Sequence, residues 1–574
     1  MAERPLLPAD FSQRFLQILG PGEFAEFANA CHKPLRKSLR VNTLKISIPD
    51  FQHLAQEKGW RLEGVPWCES GFFIERENRD LPLGRDLAHA SGQFFLQESS
   101  SMLPVAALFH CEKSKISPCA HERDPQDPLV RGGKFSSENE KAWQVPNHFQ
   151  NQNGSRGATE FAVENARCRV LDMCASPGAK TTQLAQSLEN VGLLVANEFA
   201  ASRTKKLAFN LDRLGVRNCV LTNFSGEVFG RFLPNCFDRI LVDAPCTGEG
   251  LVRKDRRALE HWNVKRIAAA ARTQKKLLAS AFASLKPGGE LVFSTCTLSP
   301  EENESVIKFL LSNFPESRLC DLSTFLPGAP GLANFENENF GPEIASKVLR
   351  IWPHTFDSEG FFVAKIEKVA ASGKTQVARL FKQENEKGAG RQFSACKFPK
   401  LKFPFSNARA FAKRKGKSKS PNAAFRKIPQ KDLVLTERFF QAFNFPLRDL
   451  RDRIFQKESK VFLFPGDFAP RDFPLKFDRG GVCLGEILPG DFRPHFQAAV
   501  CLGQHFAGPQ VLEISKQQAK LIFSGQDLPQ ESLLENDPAT TFVLLRFGKI
   551  PLCWGKILQG KVKNLLPRNF CLEL

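Results

Sequence analysis

A chain of 574 residues exceeds one hydrophobic core, so two or three domains are expected. Hydrophobic residues make up 42%, enough for globular packing, yet no apolar run approaches the roughly 20 residues of a membrane span. The opening MAERPLLPAD lacks the basic-then-apolar order of a secretory signal, so the expectation is a soluble, cytoplasmic chain. The net charge of +19 points to an anionic partner, for which nucleic acid is the usual class.

The 16 cysteines run from Cys31 to Cys571 without a single C-x-x-C pair. That argues against a disulfide framework and against structural zinc, and no metal is expected. Tyrosine is absent while phenylalanine appears 53 times, so aromatic packing survives and phenolic hydrogen bonds are lost.

In chain order, Phe11, Phe15, Leu16 and Leu19 predict a helix behind an Asp10 cap, within a folded N-terminal region over 1–112. From Lys113 to Asn165 the sequence turns polar and loses its period, which reads as a disordered insert over 113–165. Strands then alternate with helices over 166–369: CRVLDMCA, VGLLVANE, NCVLTNF, FDRILVDAP, KPGGELVFST and EGFFVAKI are strands, with a long helix around Lys265–Leu285. This order predicts a doubly wound α/β fold with a parallel sheet. Between Ala371 and Gln430 stand sixteen Lys and Arg against two Glu, a basic linker assigned to 370–430 that suits weak, salt-sensitive attachment to a polyanion. The remainder, 431–574, reads as a further compact unit with a hairpin turning at Gly548–Lys549.

Four segments carry polar groups where such a sheet binds ligands. In LDMCASPGAKTTQL a strand passes through a Pro-Gly turn into a helix, the place for a nucleotide-like ligand. A phosphate-binding loop is disfavoured, because the adjacent Gly-Lys and the upstream glycine are missing. Glu198 closes the next strand, where an acid accepts hydrogen bonds from ribose hydroxyls. Asp243 and Cys246 follow the strand in LVDAPCTGEG, and Cys296 follows another in FSTCTLSPEENE. Two loop cysteines just past sheet strands suit covalent chemistry on cytosine, with one thiolate attacking C6, an acid supporting the intermediate and a base removing the C5 proton.

These motifs resemble the Nop/Sun family of RNA cytosine-5 methyltransferases, and within it the bacterial RsmF-like ribosomal RNA enzymes. The resemblance covers the chain outside the polar insert and the basic linker. It implies a Rossmann-like, S-adenosylmethionine-dependent catalytic domain, an N-terminal α+β region and a C-terminal PUA-like RNA-binding domain. It makes Cys296 the nucleophile and Cys246 the aid to product release, with Asp243 holding the base beside the cofactor and Lys180 reaching the target site. Cys174, Ala175, Ser176, Pro177, Gly178, Ala179 and Lys180 become the donor loop, and Glu198 the ribose acid. Ser225 departs from the pattern, standing where the family carries an acid near the adenine. SLRVNTLK, with Arg40 and Asn42, and FFLQESSSM, with Gln97 and Ser100, resemble the region that packs on the catalytic domain. Lys556, Lys561, Lys563 and Arg568 become phosphate contacts. The implied partner is ribosomal RNA or the small ribosomal subunit, met by a monomer. A DNA cytosine-5 methyltransferase leaves Cys296 without a task, and an RNA-binding protein on an inactive fold has no need of both thiols.

Overall fold

The structure is a computed structural model that describes residues 7–77, 81–110, 168–369, 420–466, 468–529 and 541–572. The polar insert and nearly all of the basic linker lie outside the described residues.

Four strands arise where short apolar runs are buried on both faces, as parallel sheets require: β1 (Arg169–Asp172), β2 (Leu193–Asn197), β3 (Cys219–Thr222) and β4 (Phe237–Asp243). They join β5 (Leu285–Thr295), β6 (Leu349–Ile351), β7 (Phe361–Lys368) and β8 (Phe477–Gly480). The order is β6-β7-β5-β4-β1-β2-β3-β8, extended past β6 by Ala329–Pro330, with Ser317–Cys320 pairing β7. Helices α1 (Ala179–Ser187), α2 (Ala201–Arg213) and α3 (Val264–Ser284) make the crossovers, and α4 (Glu304–Asn313) follows β5. The chain reverses direction across the sheet between β1 and β4, so the carboxyl ends of these strands open a crevice at the switch point.

The sheet departs from the expected parallel one at its margins. β7 runs antiparallel to β5, and β8 antiparallel to β3. The second of these ties the expected further compact unit to the central sheet, because β8 comes from that part of the chain. Phe464, Phe468, Phe473 and Phe477 share one buried core with Val220 and Phe229 of the central fold. Here the phenylalanine excess does its packing: Phe425, Phe464 and Phe477 form stacked and edge-to-face pairs that ask for no hydroxyl. The linker assigned to 370–430 also ends earlier than expected, since Asn422 and Phe425 are buried and Asn422 Nδ2 donates to the carbonyls of Phe473 and Leu475.

Ala9–His32 forms two helical stretches that meet at a kink at Gly20 (φ 76), with Pro8 at the first cap, so Asp10 lies in the first turn. That position still favours a carboxylate by the helix dipole. Phe11, Phe15 and Phe27 pack with Val252, Leu259 and Trp352, whereas Leu16 is 42% exposed. Arg40 and Gln97 dock the following four-stranded sheet onto α1: Arg40 donates to Gln97 Oε1 (2.9 Å) and Thr182 Oγ1 (2.8 Å), and Gln97 donates to Gln183 (3.0 Å). At the far end, Phe542–Phe547 and Ile550–Leu558 form the predicted hairpin, with Phe547 opposite Ile550. Among the described residues no helix is long and apolar enough to cross a membrane.

One buried ion pair braces the segment after β5. Arg350 on β6 and Glu304 at the start of α4 are both 0% exposed and meet through two hydrogen bonds of 2.7 and 2.6 Å, while Arg350 Nη1 holds the Leu298 carbonyl at 2.8 Å. Arg350→Met leaves Glu304 buried without its cation and should cost about 3–5 kcal/mol. Chemical denaturation of the two proteins measures the difference.

Candidate active site

At the carboxyl edge, β4 and β5 are parallel neighbours with Asp243 opposite Ser294. The residues that follow each strand are therefore brought side by side. Cys246 Sγ lies 3.2 Å from Cys296 Sγ, both thiols half-buried. Ser294 Oγ donates to Asp243 Oδ1 at 2.9 Å, and Lys180 Nζ donates to Asp243 Oδ2 at 2.8 Å. Burial works against the Lys180 charge, but Asp243 overrides it and raises the ammonium above its ordinary value. Lys180 also reaches Ser101 Oγ at 3.0 Å and stands 5.2 Å over the Phe361 ring.

The turn from β1 to α1 is shaped by its glycine and its neighbours. Gly178 has φ +105, a region that side chains resist, and a Cβ there would meet Leu207 at 2.9 Å. The carbonyls of Ser176 and Pro177 accept from Arg203 and Asn210 of α2, both at 2.8 Å, and Ser176 Oγ turns toward the Arg203 carbonyl. Ala175 donates to Asn197 at 2.8 Å, tying the turn to β2. Ala179 opens α1 and its carbonyl accepts from Thr182 Oγ1 at 3.0 Å.

Three carboxylates converge on this turn. The Cys174 thiol is pushed far above its usual range by burial and then by Asp172, Asp243 and Glu198, which makes it inert as a nucleophile. Glu198 is buried and accepts from the Ala200 amide at 2.8 Å. Asp172 accepts from Thr181 at 2.7 Å on one oxygen, while its other oxygen is buried without a hydrogen-bond partner. An anionic cradle with an orphaned acceptor fits a ligand that carries an ammonium, a sulfonium and a ribose. Phe199, 64% exposed just past Glu198, adds an apolar face. Ser225 lies on the turn after β3, where its hydroxyl accepts from the Glu227 amide at 3.4 Å.

The predicted residues Cys296, Cys246, Asp243 and Lys180 thus meet at one edge, with Cys174 to Ala179 and Glu198 beside them. Others in the site were not singled out from the sequence. Ser101, the neighbour of the residue named there, is the one that touches Lys180. Glu98 accepts from the amides of Ser101 and Glu359, each at 3.2 Å. Glu249 is fully buried and accepts from Thr297, Leu298, Ser299 and Trp262 at 2.6–3.0 Å. Glu302, in the acid run SPEENE, accepts from the Thr247 amide (3.1 Å) and Gln274 (2.7 Å). An acid-rich run directly after a loop cysteine was the available signal.

Fold and site together define a Rossmann-like α/β transferase of the methyltransferase class. Residues 160–367 match the family described as 16S rRNA methyltransferase RsmB/F, 7–99 the N-terminal domain of 16S rRNA methyltransferase RsmF, and 509–572 the methyltransferase RsmF PUA domain. The ribosomal RNA small subunit methyltransferase F of Psychromonas ingrahamii is 34% identical over 576 residues, covering 99% of this chain and 98% of that one. The protein of the same name from Vibrio vulnificus is 36% identical over 567 residues, covering 98% and 97%. A methyltransferase homolog protein from Pyrococcus horikoshii aligns with a TM-score of 0.47 at 32% identity, over 62% of this chain and 94% of that chain. The chain belongs to the family of 16S ribosomal RNA methyltransferases F, enzymes that take their methyl group from S-adenosylmethionine.

Asp172 gives the cradle a pH signature. Burial raises its carboxyl from 3.8 to about 7, so the folded protein holds this proton more tightly than the unfolded chain. Stability from this residue is full below about pH 4 and is lost as pH rises toward 7. Asp172→Asn should therefore raise the melting temperature at about pH 8 and leave it nearly unchanged at about pH 4, with a ceiling of about 4 kcal/mol. Thermal scans without donor at the two pH values check this.

Proposed function

We propose that the protein methylates carbon 5 of a cytosine in small-subunit ribosomal RNA through a covalent adduct between Cys296 and C6. The observation that carries this reading is the 3.2 Å approach of two thiols at the ends of adjacent strands, with the Lys180–Asp243 pair beside them.

Cytosine C5 is too weak a nucleophile to take a methyl group unaided. Attack by the Cys296 thiolate at C6 forms the S–C6 bond and moves electron density onto C5. Asp243, fixed by Ser294 and Lys180, holds the polar edge of the base and stabilises the charge that develops there. S-adenosylmethionine supplies an electrophilic methyl on a sulfonium. Glu198 would hold its ribose, the Cys174–Lys180 turn and Asp243 would complete its binding site, and Ser225 would serve its adenine. Removal of the C5 proton then restores the C5=C6 double bond and expels Cys296, a step assigned to Cys246. A base inside structured RNA has to swing out of its stack to reach these thiols.

RNA attachment falls to the C-terminal module. Lys556 and Lys563 are cross-strand partners, Lys561 and Lys563 alternate on the outward face of Lys561–Asn564, and Arg568 is exposed nearby. Like charges opposed on a sheet repel in the free protein, which favours a polyanion between them.

Transfer of labelled methyl to 16S ribosomal RNA and to isolated small subunits tests the chemistry. Cys296→Ala should abolish 5-methylcytosine, and Cys246→Ala should accumulate a covalent protein–RNA species on a denaturing gel. Exchange of these two phenotypes would reverse the roles, and intact donor binding with no label on any RNA would favour an RNA-binding assembly protein. Separately, Lys563→Ala should weaken RNA binding at every sequence and lower the slope of log affinity against log salt by about 1, read from titrations across salt concentrations.

A further inference from the structure

The two thiols are not equivalent, and their surroundings say how they divide the work. Cys246 is held far above the usual thiol range first by its hydrogen bond with Cys296, then by burial, by the charge of Cys296 and by the carboxylate of Glu302. Before attack, these influences favour Cys246 as the thiol of the pair that keeps its proton. Once Cys296 is bonded to C6 its sulfur is a neutral thioether, and the strongest hold on that proton is gone.

Glu302 is the carboxylate whose charge acts on Cys246 and whose hydrogen bonds reach both thiol loops. Its carboxylate receives the amide and hydroxyl of Thr247, the residue after Cys246, and the hydroxyl of Thr297, the residue after Cys296. It also receives Gln274 Nε2 at 2.7 Å, and the same Gln274 nitrogen donates to the carbonyl of Pro245, the residue before Cys246. One side chain thereby ties both thiol loops together from beneath. Burial, opposed by the Thr247 and Gln274 hydrogen bonds and aided by Glu249, raises the Glu302 carboxyl from 4.5 to about 7. That lies in the range where proton transfer at neutral pH is efficient. Glu249 and Glu302 each collect four donors, and Glu302 is the one whose charge acts on the Cys246 thiol.

We propose that Glu302 is the positioning residue of the release step, fixing the Cys246 loop on the Cys296 loop and taking the Cys246 proton once Cys296 is bound to the base. The inference rests on the covalent reading given above. In this step Glu302 accepts the proton of the Cys246 thiol, and the resulting thiolate takes the proton on C5. The C5–H electron pair becomes the C5=C6 bond, the C6–S pair returns to Cys296 as thiolate, and the proton left on Glu302 passes to water.

The test is single-turnover methylation of 16S ribosomal RNA by the full chain, following the covalent species on denaturing gels. Glu302→Gln should form the methylated adduct and release it about 10²-fold more slowly. In the wild type, release should slow as pH falls through about 7, and in Glu302→Gln it should lose that dependence. Wild-type release kinetics with an unchanged pH profile in Glu302→Gln would overturn the proposal. So would a variant that binds donor yet forms no adduct, because Glu302 would then be a brace for the loops alone. If Glu302→Gln does not fold, the wild-type profile decides, and a release rate flat from about pH 5.5 to about 8.5 refutes the role. Cys246→Ala runs alongside: absence of an adduct there means the covalent reading has failed, independently of Glu302.

Discussion

Everything in the site follows from the parallel pairing of β4 with β5. With Asp243 opposite Ser294, the chain leaves both strands at the same level, and Cys246 and Cys296 come within 3.2 Å without either loop being long. A slip of one residue would turn every side chain of one strand to the opposite face and separate the pair. The register is defended from three sides. Gly250 donates to the Cys296 carbonyl at 2.9 Å and accepts from Gly360 at 3.0 Å, so the two loops and the start of β7 are stacked backbone on backbone. A Cβ on Gly250 would lie 2.1 Å from the Gly360 carbonyl oxygen, which explains glycine at a position with no need for a positive φ. Beneath them, Glu249 and Glu302 collect the donors of both loops.

The electrostatics pull in opposite directions, and the fold separates them in space. The cradle proposed for the donor gathers Asp172, Glu198 and Asp243, whose charges all act on Cys174. The proposed RNA contacts lie on the C-terminal module, where lysines face outward from a separate five-stranded sheet. Lys180 stands between the two demands. Its ammonium neutralises Asp243 from the side of α1 while Ser101, from the N-terminal region, fixes its other hydrogen bond. The N-terminal region therefore completes the site as well as covering the helix.

What could be read from the sequence was what repeats or punctuates. The strand–helix alternation, the Pro-Gly turn before α1 and the cysteines just past β4 and β5 are local signals, and each maps to an element end. The contacts that make the site work are not local. Ser101 meets Lys180 across 79 positions and Glu302 meets Thr247 across 55, so no periodicity records them. Arg350 looks from the sequence like one more surface cation, and only the closing of β6 onto β7 buries it against Glu304. The greatest departure, the joining of β8 to β3, has the same origin. FDRG carries little strand signal, and it becomes a strand because the edge of β3 offers it unpaired backbone groups.

That edge pairing changes how the C-terminal part of the chain has to be regarded. A module tethered only by a linker samples many orientations, and each RNA contact it makes must be matched to the catalytic edge anew. Here β8 is hydrogen-bonded into the catalytic sheet, Arg479 on β8 pairs with Asp212 of α2 at 2.7 Å, and Gln497 donates to the same carboxylate at 3.0 Å. Asp212 sits on the helix whose Arg203 and Asn210 hold the turn from β1 to α1. The same α2 thus shapes the turn after β1 at one point and anchors the C-terminal region at another. On the proposed function, an RNA gripped by that region would meet the thiols from a fixed direction, and reach to a single nucleotide would then be decided by the rigidity of the protein as much as by the sequence of the RNA.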